Sequence, residues 1–112
     1  METQAAIRAL SALAQEHRLA VFRLLMAAGP AGLAAGAVAR QLGVLPNTLS
    51  THLALLEAAG LIGSRREGRS IIYTADFAGT GRLLDFLVVD CCSGRPEICA
   101  ALIPAAPPCK AS

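Results

Sequence analysis

The stretch VARQLGVLPNTLSTHLALLEAAGLI, residues 38–62, contains two helical patterns with a short turn between them. The first pattern predicts a helix over residues 35–42, because apolar residues recur at helical spacing and Gly43 follows as a C-terminal stop. Pro46 suits the first position of a second helix, where its missing N–H would have no partner, and this helix is predicted to extend to Ala59. Two helices joined by three residues predict a helix-turn-helix unit.

The second helix is predicted to have an apolar face and a polar face. Leu49, Leu53 and Leu56 form one stripe, which we expect to pack inward. The other face carries short hydrogen-bonding side chains near the start of the helix, as a helix that reads base edges in the major groove of DNA requires. His52 lies between the two faces, so a packed histidine and a contact to a base or phosphate are both open. The predicted DNA contacts are Asn47, Thr48, Ser50, Thr51 and His52.

A predicted hairpin follows the two helices. The segment LIGSRREGRSIIYTAD, residues 61–76, has a β-type run on each side of residues 66–69 and predicts two strands with a basic tip. Arg65, Arg66 and Arg69 are predicted to contact phosphates or the minor groove. Taken alone, each feature favours an ordinary solvated surface. A helix-turn-helix followed by a basic hairpin is the order of a winged helix-turn-helix, and this order favours DNA binding.

Three further helices complete a mainly α fold of about five helices and a two-stranded β-hairpin wing. One is predicted over residues 3–14, one from Glu16 to the stop signal at Gly29, and one over residues 78–91. The apolar residues expected to face inward in the second of these helices are Leu19, Phe22, Leu25 and Met26. The last helix carries Leu83, Leu84, Leu87 and Val88.

The composition is typical of one small helical domain. The chain has 112 residues, and its hydrophobic share of 54% comes from Ala and Leu rather than aromatic residues, which favours closely packed helices and a homodimer. We expect residues 1–103 to form the domain and the Pro-rich residues 104–112 to lack fixed structure. No apolar run reaches the length of a membrane span or a signal peptide, so a cytoplasmic protein without a membrane partner is predicted.

Three stretches resemble the ArsR/SmtB family: ALAQEHRLAVFRLL (residues 12–25), the segment 38–62 and RREGRSIIYT (residues 65–74). The resemblance extends over about residues 5–90. It implies a homodimeric winged-helix repressor that leaves its operator DNA when a metal or metalloid binds. It also implies that the last helix packs with the first at the dimer interface.

The sequence departs from the family pattern at positions that bear on sensing and reading. The third-helix segment GLAAGAVARQL, residues 32–42, lacks the cysteines that many arsenic and cadmium sensors of the family carry there. The last helix lacks the carboxylate and histidine pairs of the family's zinc site. Pro46 replaces a frequent Gln, which leaves direct base contacts open. Gln15-Glu16 replaces a frequent Asp-Pro, which leaves open the residue that caps the second helix of the chain. A sensing site is therefore expected elsewhere.

The segment DCCSGRPEIC, residues 90–99, offers three thiols within nine residues. Soft thiolates select thiophilic ions, and trivalent arsenic or antimony takes three sulfur ligands. On a continuous helix Cys92 and Cys99 would lie about 10 Å apart along the axis, so the chain must turn between them, and Gly94 and Pro96 favour a turn. The segment also resembles the C-terminal thiols of arsenite-responsive members. We therefore predict an As(III) or Sb(III) inducer bound by Cys91, Cys92 and Cys99, with Cys109 as a spare or substitute ligand.

Other functions are compatible with the same thiols. In the first, the repressor senses oxidation through a disulfide from Cys91 or Cys92 to Cys99 or Cys109. In the second, the chain is a thiol oxidoreductase, which is disfavoured because the paired thiols follow a helix C-terminus, where the dipole raises the pKa of a thiol. A dimerising module without DNA binding is the third. The expected function is a metalloid-released repressor of double-stranded operator DNA, neither an enzyme nor dependent on an organic cofactor.

Overall fold

The computed structural model describes residues 1–88 and, separately, Glu97. The helices are α1 (Thr3–Leu13), α2 (Glu16–Ala28), α3 (Ala35–Leu42), α4 (Pro46–Ala58) and α5 (Phe77–Leu87), and the strands are β1 (Leu33–Ala34), β2 (Ile62–Glu67) and β3 (Ser70–Ala75). The predicted winged helix-turn-helix fold is confirmed. The predicted boundary between residues 103 and 104 lies outside the described residues.

Side-chain caps begin two of the helices. The side chain of Gln15 accepts a hydrogen bond from the backbone N–H of Arg18 at 3.0 Å at the start of α2, which identifies the cap that the sequence had left open. Asp76 caps α5 by accepting from the N–H of Gly79 at 2.8 Å, so this helix begins at Phe77.

The last helix is shorter than predicted within the described residues, and the predicted residues 89–91 lie outside them. Helix α5 ends at Leu87, because Val88 leaves the helical region with φ −124° and ψ 37°. Val88 is β-branched, which lowers its preference for a helical conformation.

The wing is a three-stranded antiparallel sheet rather than the predicted two-stranded hairpin. Strand β3 lies in the centre, paired with β2 on one side and with the two-residue strand β1 on the other. A strand of two residues is too short for an alternating pattern to reveal it. Gly32 permits the pairing, because a Cβ atom at that position would collide with the backbone oxygen of Tyr73.

The core lies between the helices and one end of the sheet. Helix α1 contributes three alanines, and Leu49, Leu53 and Leu56 of α4 are all buried, as their stripe predicted. The inward direction predicted for Leu19 and Met26 of α2 is wrong, since they are 44% and 37% exposed. Helix α2 instead buries Val21 and Leu25. In α5, Leu83 is buried, whereas Leu84 and Leu87 are exposed.

Helix α2 is apolar around most of its circumference, so its packing against adjacent helices and strands decides which face is buried. It contacts α1, α3, α4 and β3. Within the described ranges, no helix is both long and apolar enough to cross a membrane.

Candidate nucleic-acid interface

A tight turn joins α3 to α4. Gly43 ends α3 in the left-handed conformation, with φ 65° and ψ 35°, which glycine adopts without the steric penalty of a side chain. The N–H of Val44 then donates to the carbonyl of Ala39 at 3.1 Å and closes the end of the helix. Val38 and Ala39 are buried, so α3 is held in the core and supports α4 from behind.

Helix α4 presents the polar face that its sequence predicts. Its leucine stripe is buried, and the opposite face is exposed. Within the described part of the chain, the polar side chains of this face form no hydrogen bonds, so their donors and acceptors are free to bind a ligand. The exposed residues are Asn47, Thr48, Ser50 and Thr51.

The start of α4 leaves backbone amides without a side-chain cap. Leu45 is the N-cap residue, lacks a hydrogen-bonding side chain, and is 74% exposed. Arg40, in the last turn of α3, lines the same recess as Leu45 and Pro46. The unpaired amides and a nearby guanidinium both favour an anion here. Sequence reasoning missed Arg40, although a basic residue three positions before the turn glycine was a visible signal.

His52 lies in the core rather than on the exposed face. It is 9% exposed, and its ring stacks on that of His17 with the centroids 5.7 Å apart and the planes 23° apart. Its Nδ1 atom is buried without a hydrogen-bond partner among the described residues. Burial lowers the pKa of His52, and the charges of Arg18 and His17 lower that pKa further. Of the two interpretations left open for His52, the structure favours the packed one.

The three arginines of the wing differ in their surroundings. Arg65 is engaged within the protein: its Nη1 and Nη2 atoms donate to the carbonyls of Pro30 and Ala31 at 3.2 and 2.8 Å, and its Nε donates to Glu67 at 2.6 Å. Neither carbonyl was foreseeable, because Pro30 and Ala31 precede Arg65 by about 35 positions and no local pattern joins them.

Arg66 and Arg69 are exposed and form neither an ion pair nor a hydrogen bond within the described residues. Arg69 is the second residue of the two-residue turn between β2 and β3, and Gly68, with φ 62°, is the first. These two arginines therefore lie at the tip of the wing with their guanidinium groups free. The structure separates them from Arg65, although all three lie within five residues of sequence.

The known proteins that are similar to this chain agree in their fold and in their class. Residues 13–65 match a family described as a helix-turn-helix domain. An ArsR-like transcriptional regulator from Rhodococcus sp. RHA1 is 26% identical, with a TM-score of 0.70 over 91% of this chain and 93% of the regulator. The homodimeric winged helix-turn-helix domain of a possible ArsR-family transcriptional regulator from Mycobacterium bovis, solved in solution, is 28% identical, with a TM-score of 0.64 over 93% of this chain and 87% of that one.

A crystal structure of the Mycobacterium bovis fragment is 30% identical, with a TM-score of 0.63 over 77% of this chain and 89% of the fragment. The chain belongs to the ArsR family. No curated protein sequence matches this ArsR-family chain significantly. Its relatives are transcriptional regulators, which are not enzymes.

The thiols predicted to sense a metalloid in this ArsR-family regulator lie outside the described residues. They are Cys91, Cys92 and Cys99, and the same holds for Cys109. Across residues 1–88 and Glu97, no three His, Cys, Asp or Glu side chains come together as a group that could hold a metal ion. The three-thiol site stays a prediction from the sequence.

Proposed function

We propose that this ArsR-family regulator is a homodimeric repressor that binds operator DNA and is released by trivalent arsenic or antimony. The observation that carries the DNA-binding part is the two-sided character of α4. One side is buried by three leucines, and the other exposes four short polar side chains that have no partner within the described chain. A helix held in this way supplies a rigid row of hydrogen-bonding groups for the major groove.

Each exposed group of α4 has a chemical counterpart on DNA. Asn47 can form a bidentate pair with the N6 and N7 atoms of adenine, and a threonine methyl can contact the methyl group of thymine. Arg66 and Arg69 at the wing tip are suited to phosphates beside the groove. The uncapped amides at the start of α4, together with Arg40, are suited to a further phosphate. These contacts combine base readout with the positioning of the protein on the backbone.

Exposed apolar residues on α1 and α5 support homodimerisation. Ile7 and Leu10 of α1 and Leu84 and Leu87 of α5 are all exposed, and the two helices contact each other. Such a surface is costly in water and gains stability when a second copy covers it. The Mycobacterium bovis relative is homodimeric. A two-fold dimer would bind two half-sites about 34 Å apart, one turn of the duplex.

The proposed inducer site follows α5 directly. This helix ends at Leu87, so Cys91 comes four residues after its last residue. A metalloid that draws Cys91, Cys92 and Cys99 together would constrain the chain leaving α5, next to the apolar surface that α5 shares with α1. Such a change could alter the separation of the two reading helices. A coupling of about 1–3 kcal/mol would weaken DNA binding about 5- to 150-fold.

The experiment begins with selection of a high-affinity duplex from a random library. This selected duplex serves as the operator in the binding assays. Fluorescence anisotropy then follows release of the labelled duplex during separate titrations with arsenite, antimonite, zinc, cadmium and peroxide. We expect release by arsenite and antimonite in the wild type and its loss in Cys92→Ser. Cys109→Ser is the matched control and should respond as the wild type does. Unaltered release of Cys92→Ser by arsenite would refute the thiol site, and release by peroxide alone would identify an oxidation sensor.

The reading face is tested separately. We expect Asn47→Ala to weaken binding to the selected duplex by about 1–3 kcal/mol, because the variant has no side-chain amide to pair with a base. Gln41→Ala removes a similar amide from an exposed position of α3 and should leave binding nearly unchanged. Equal affinities of Asn47→Ala and the wild type would remove Asn47 from the interface.

A further inference from the structure

The guanidinium group of Arg65 joins two distant parts of the chain. Its two terminal nitrogens donate to the consecutive carbonyls of Pro30 and Ala31, which belong to the single 3-10 turn (Gly29–Ala31) that follows α2. Its Nε donates to Glu67 on the same strand. All three nitrogens of the group are thus occupied, and two of the contacts leave the wing for the body of the domain.

The sheet register explains how Arg65 reaches that turn. Arg65 on β2 pairs with Ile72 on β3, and Ile72 pairs with Ala34 on β1, so the three residues form one row across the sheet. The side chain of Arg65 reaches the turn that leads into β1. The contact therefore links the outer strand of the wing, β2, to the segment between α2 and α3.

Arg66 cannot make the same contact. It pairs with Ile71, and successive side chains of a strand project to opposite faces, so Arg66 lies on the other face of the sheet. Two adjacent arginines therefore have separate surroundings, one bonded within the protein and one exposed.

We propose that Arg65 is a positioning residue, which fixes the wing to the 3-10 turn after α2 and thereby aims Arg66 and Arg69 at the DNA backbone. The proposal rests on the DNA-binding function proposed above. Three observations carry it: the occupied donors of Arg65, the bridge to a turn about 35 residues away, and the free guanidinium groups at the tip.

We call the three hydrogen bonds of Arg65, to Pro30, Ala31 and Glu67, the Arg65 clamp. Only arginine can form all three. Its planar fork donates to two neighbouring carbonyls and to a carboxylate at the same time, whereas the ammonium group of lysine is a point charge without that geometry. The two carbonyl oxygens of the 3-10 turn also carry partial negative charge, which favours a cation beside them. Glu67 balances the charge of Arg65 locally, so the clamp adds little net charge to the wing.

Charge-conserving variants separate positioning from direct contact with DNA. Arg65→Lys keeps the charge and removes the fork, and Arg66→Lys makes the same change at a free position. Arg66→Ala removes the charge at that free position. Two measurements are made on each full-length variant: amide hydrogen exchange of β2 and β3 in the free protein, and affinity for the selected duplex over a series of salt concentrations.

We expect Arg65→Lys to exchange faster in β2 and β3 and to bind DNA about three- to tenfold more weakly, because the aimed orientation is populated for a smaller fraction of the time. The salt dependence of the DNA affinity of Arg65→Lys should match that of the wild type. Arg66→Lys should keep wild-type amide exchange, because Arg66 forms no hydrogen bond within the described residues. Arg66→Ala should keep wild-type exchange, while the negative slope of log K against log salt becomes shallower by about 0.9 for each phosphate that the variant no longer neutralises.

Three results would overturn the proposal. In the first, Arg65→Lys leaves both exchange and affinity unchanged. In the second, exchange rises but affinity does not fall, so the clamp does not serve DNA binding. In the third, affinity falls without faster exchange, so Arg65 itself contacts DNA. A wild-type chain that binds no duplex would instead refute the DNA-binding function, and the exchange measurement would still decide whether Arg65 holds the wing.

Discussion

Replacing Gly32 by alanine should destabilise the protein more than the same change at Gly29, although the two glycines have almost the same backbone. Gly29 has φ 70° and ψ −160°, and Gly32 has φ 68° and ψ −170°. This region is nearly restricted to glycine, and a side chain in such a conformation costs about 1–3 kcal/mol. That strain is common to both substitutions, so the difference between them measures packing alone.

The packing differs because β3 lies against only one of the two glycines. A Cβ atom at Gly29 would meet no atom within 4 Å. At Gly32 it would collide with the backbone oxygen of Tyr73 and lie 2.6 Å from a methyl carbon of Thr74 and 2.9 Å from one of Ile72. A backbone oxygen within a strand pair cannot turn away as a side chain can. The overpacking adds about 1–3 kcal/mol, so Gly32→Ala should cost about 2–6 kcal/mol and Gly29→Ala about 1–3 kcal/mol.

The assay is unfolding in urea, followed by far-UV circular dichroism, of the wild type and the two variants. All three are measured at one protomer concentration, because dimerisation would make the apparent stability depend on concentration. The free energy of unfolding should rank wild type, then Gly29→Ala, then Gly32→Ala. If Gly32→Ala were as stable as Gly29→Ala, the close approach of this segment to β3 would be refuted, and with it the explanation for the third strand.

Three further predictions concern burial, capping and protonation. Leu56→Ala should cost about 2–5 kcal/mol in urea unfolding, because the side chain is fully buried, whereas Leu55→Ala, at a position 46% exposed, should cost much less; similar losses would refute the assigned faces of α4. Asp76→Ala should lower the free energy of unfolding by about 1 kcal/mol through loss of a helix cap, with Glu2→Ala as the control, since Glu2 caps α1 without a side-chain hydrogen bond. Burial lowers the pKa of His52 below its ordinary 6.5, so below that pH the unfolded chain binds a proton more readily than the folded chain does. The free energy of unfolding is therefore retained above pH 6.5 and decreases as the pH falls below it. His52→Asn should weaken that dependence between pH 7.5 and 5.5, and an unchanged dependence would exclude His52 as its source.

Much of the helix-turn-helix could be predicted because its signals are local. Gly43 and Pro46 mark the turn within four residues, and the leucines of α4 repeat at the helical period. The bounds predicted for α3 agree with the structure, and those for α4 differ by one residue. The exposed polar face follows from the same periodicity, since burying the leucines turns the remaining positions outward.

Features that depend on distant contacts could not be predicted in this way. The prediction of the inward face of α2 was wrong at Leu19 and Met26, because the apolar residues of that helix permit more than one buried face. The burial of His52 depends on its stacking against His17 of another helix. Strand β1 becomes a strand only because β3 lies beside it.

The sequence by itself determined the order of helices and the wing, the two faces of α4 and the presence of three clustered thiols, because caps, turns and helical periodicity act over a few residues. Only the tertiary structure decided which arginine of the wing is bonded within the protein and which two are free. Arg65, Arg66 and Arg69 carry the same charge within five positions, and their difference comes from carbonyls about 35 residues away that lie against one face of the sheet. The partner that a side chain meets across a fold depends on the packing of whole elements, and local sequence does not encode it.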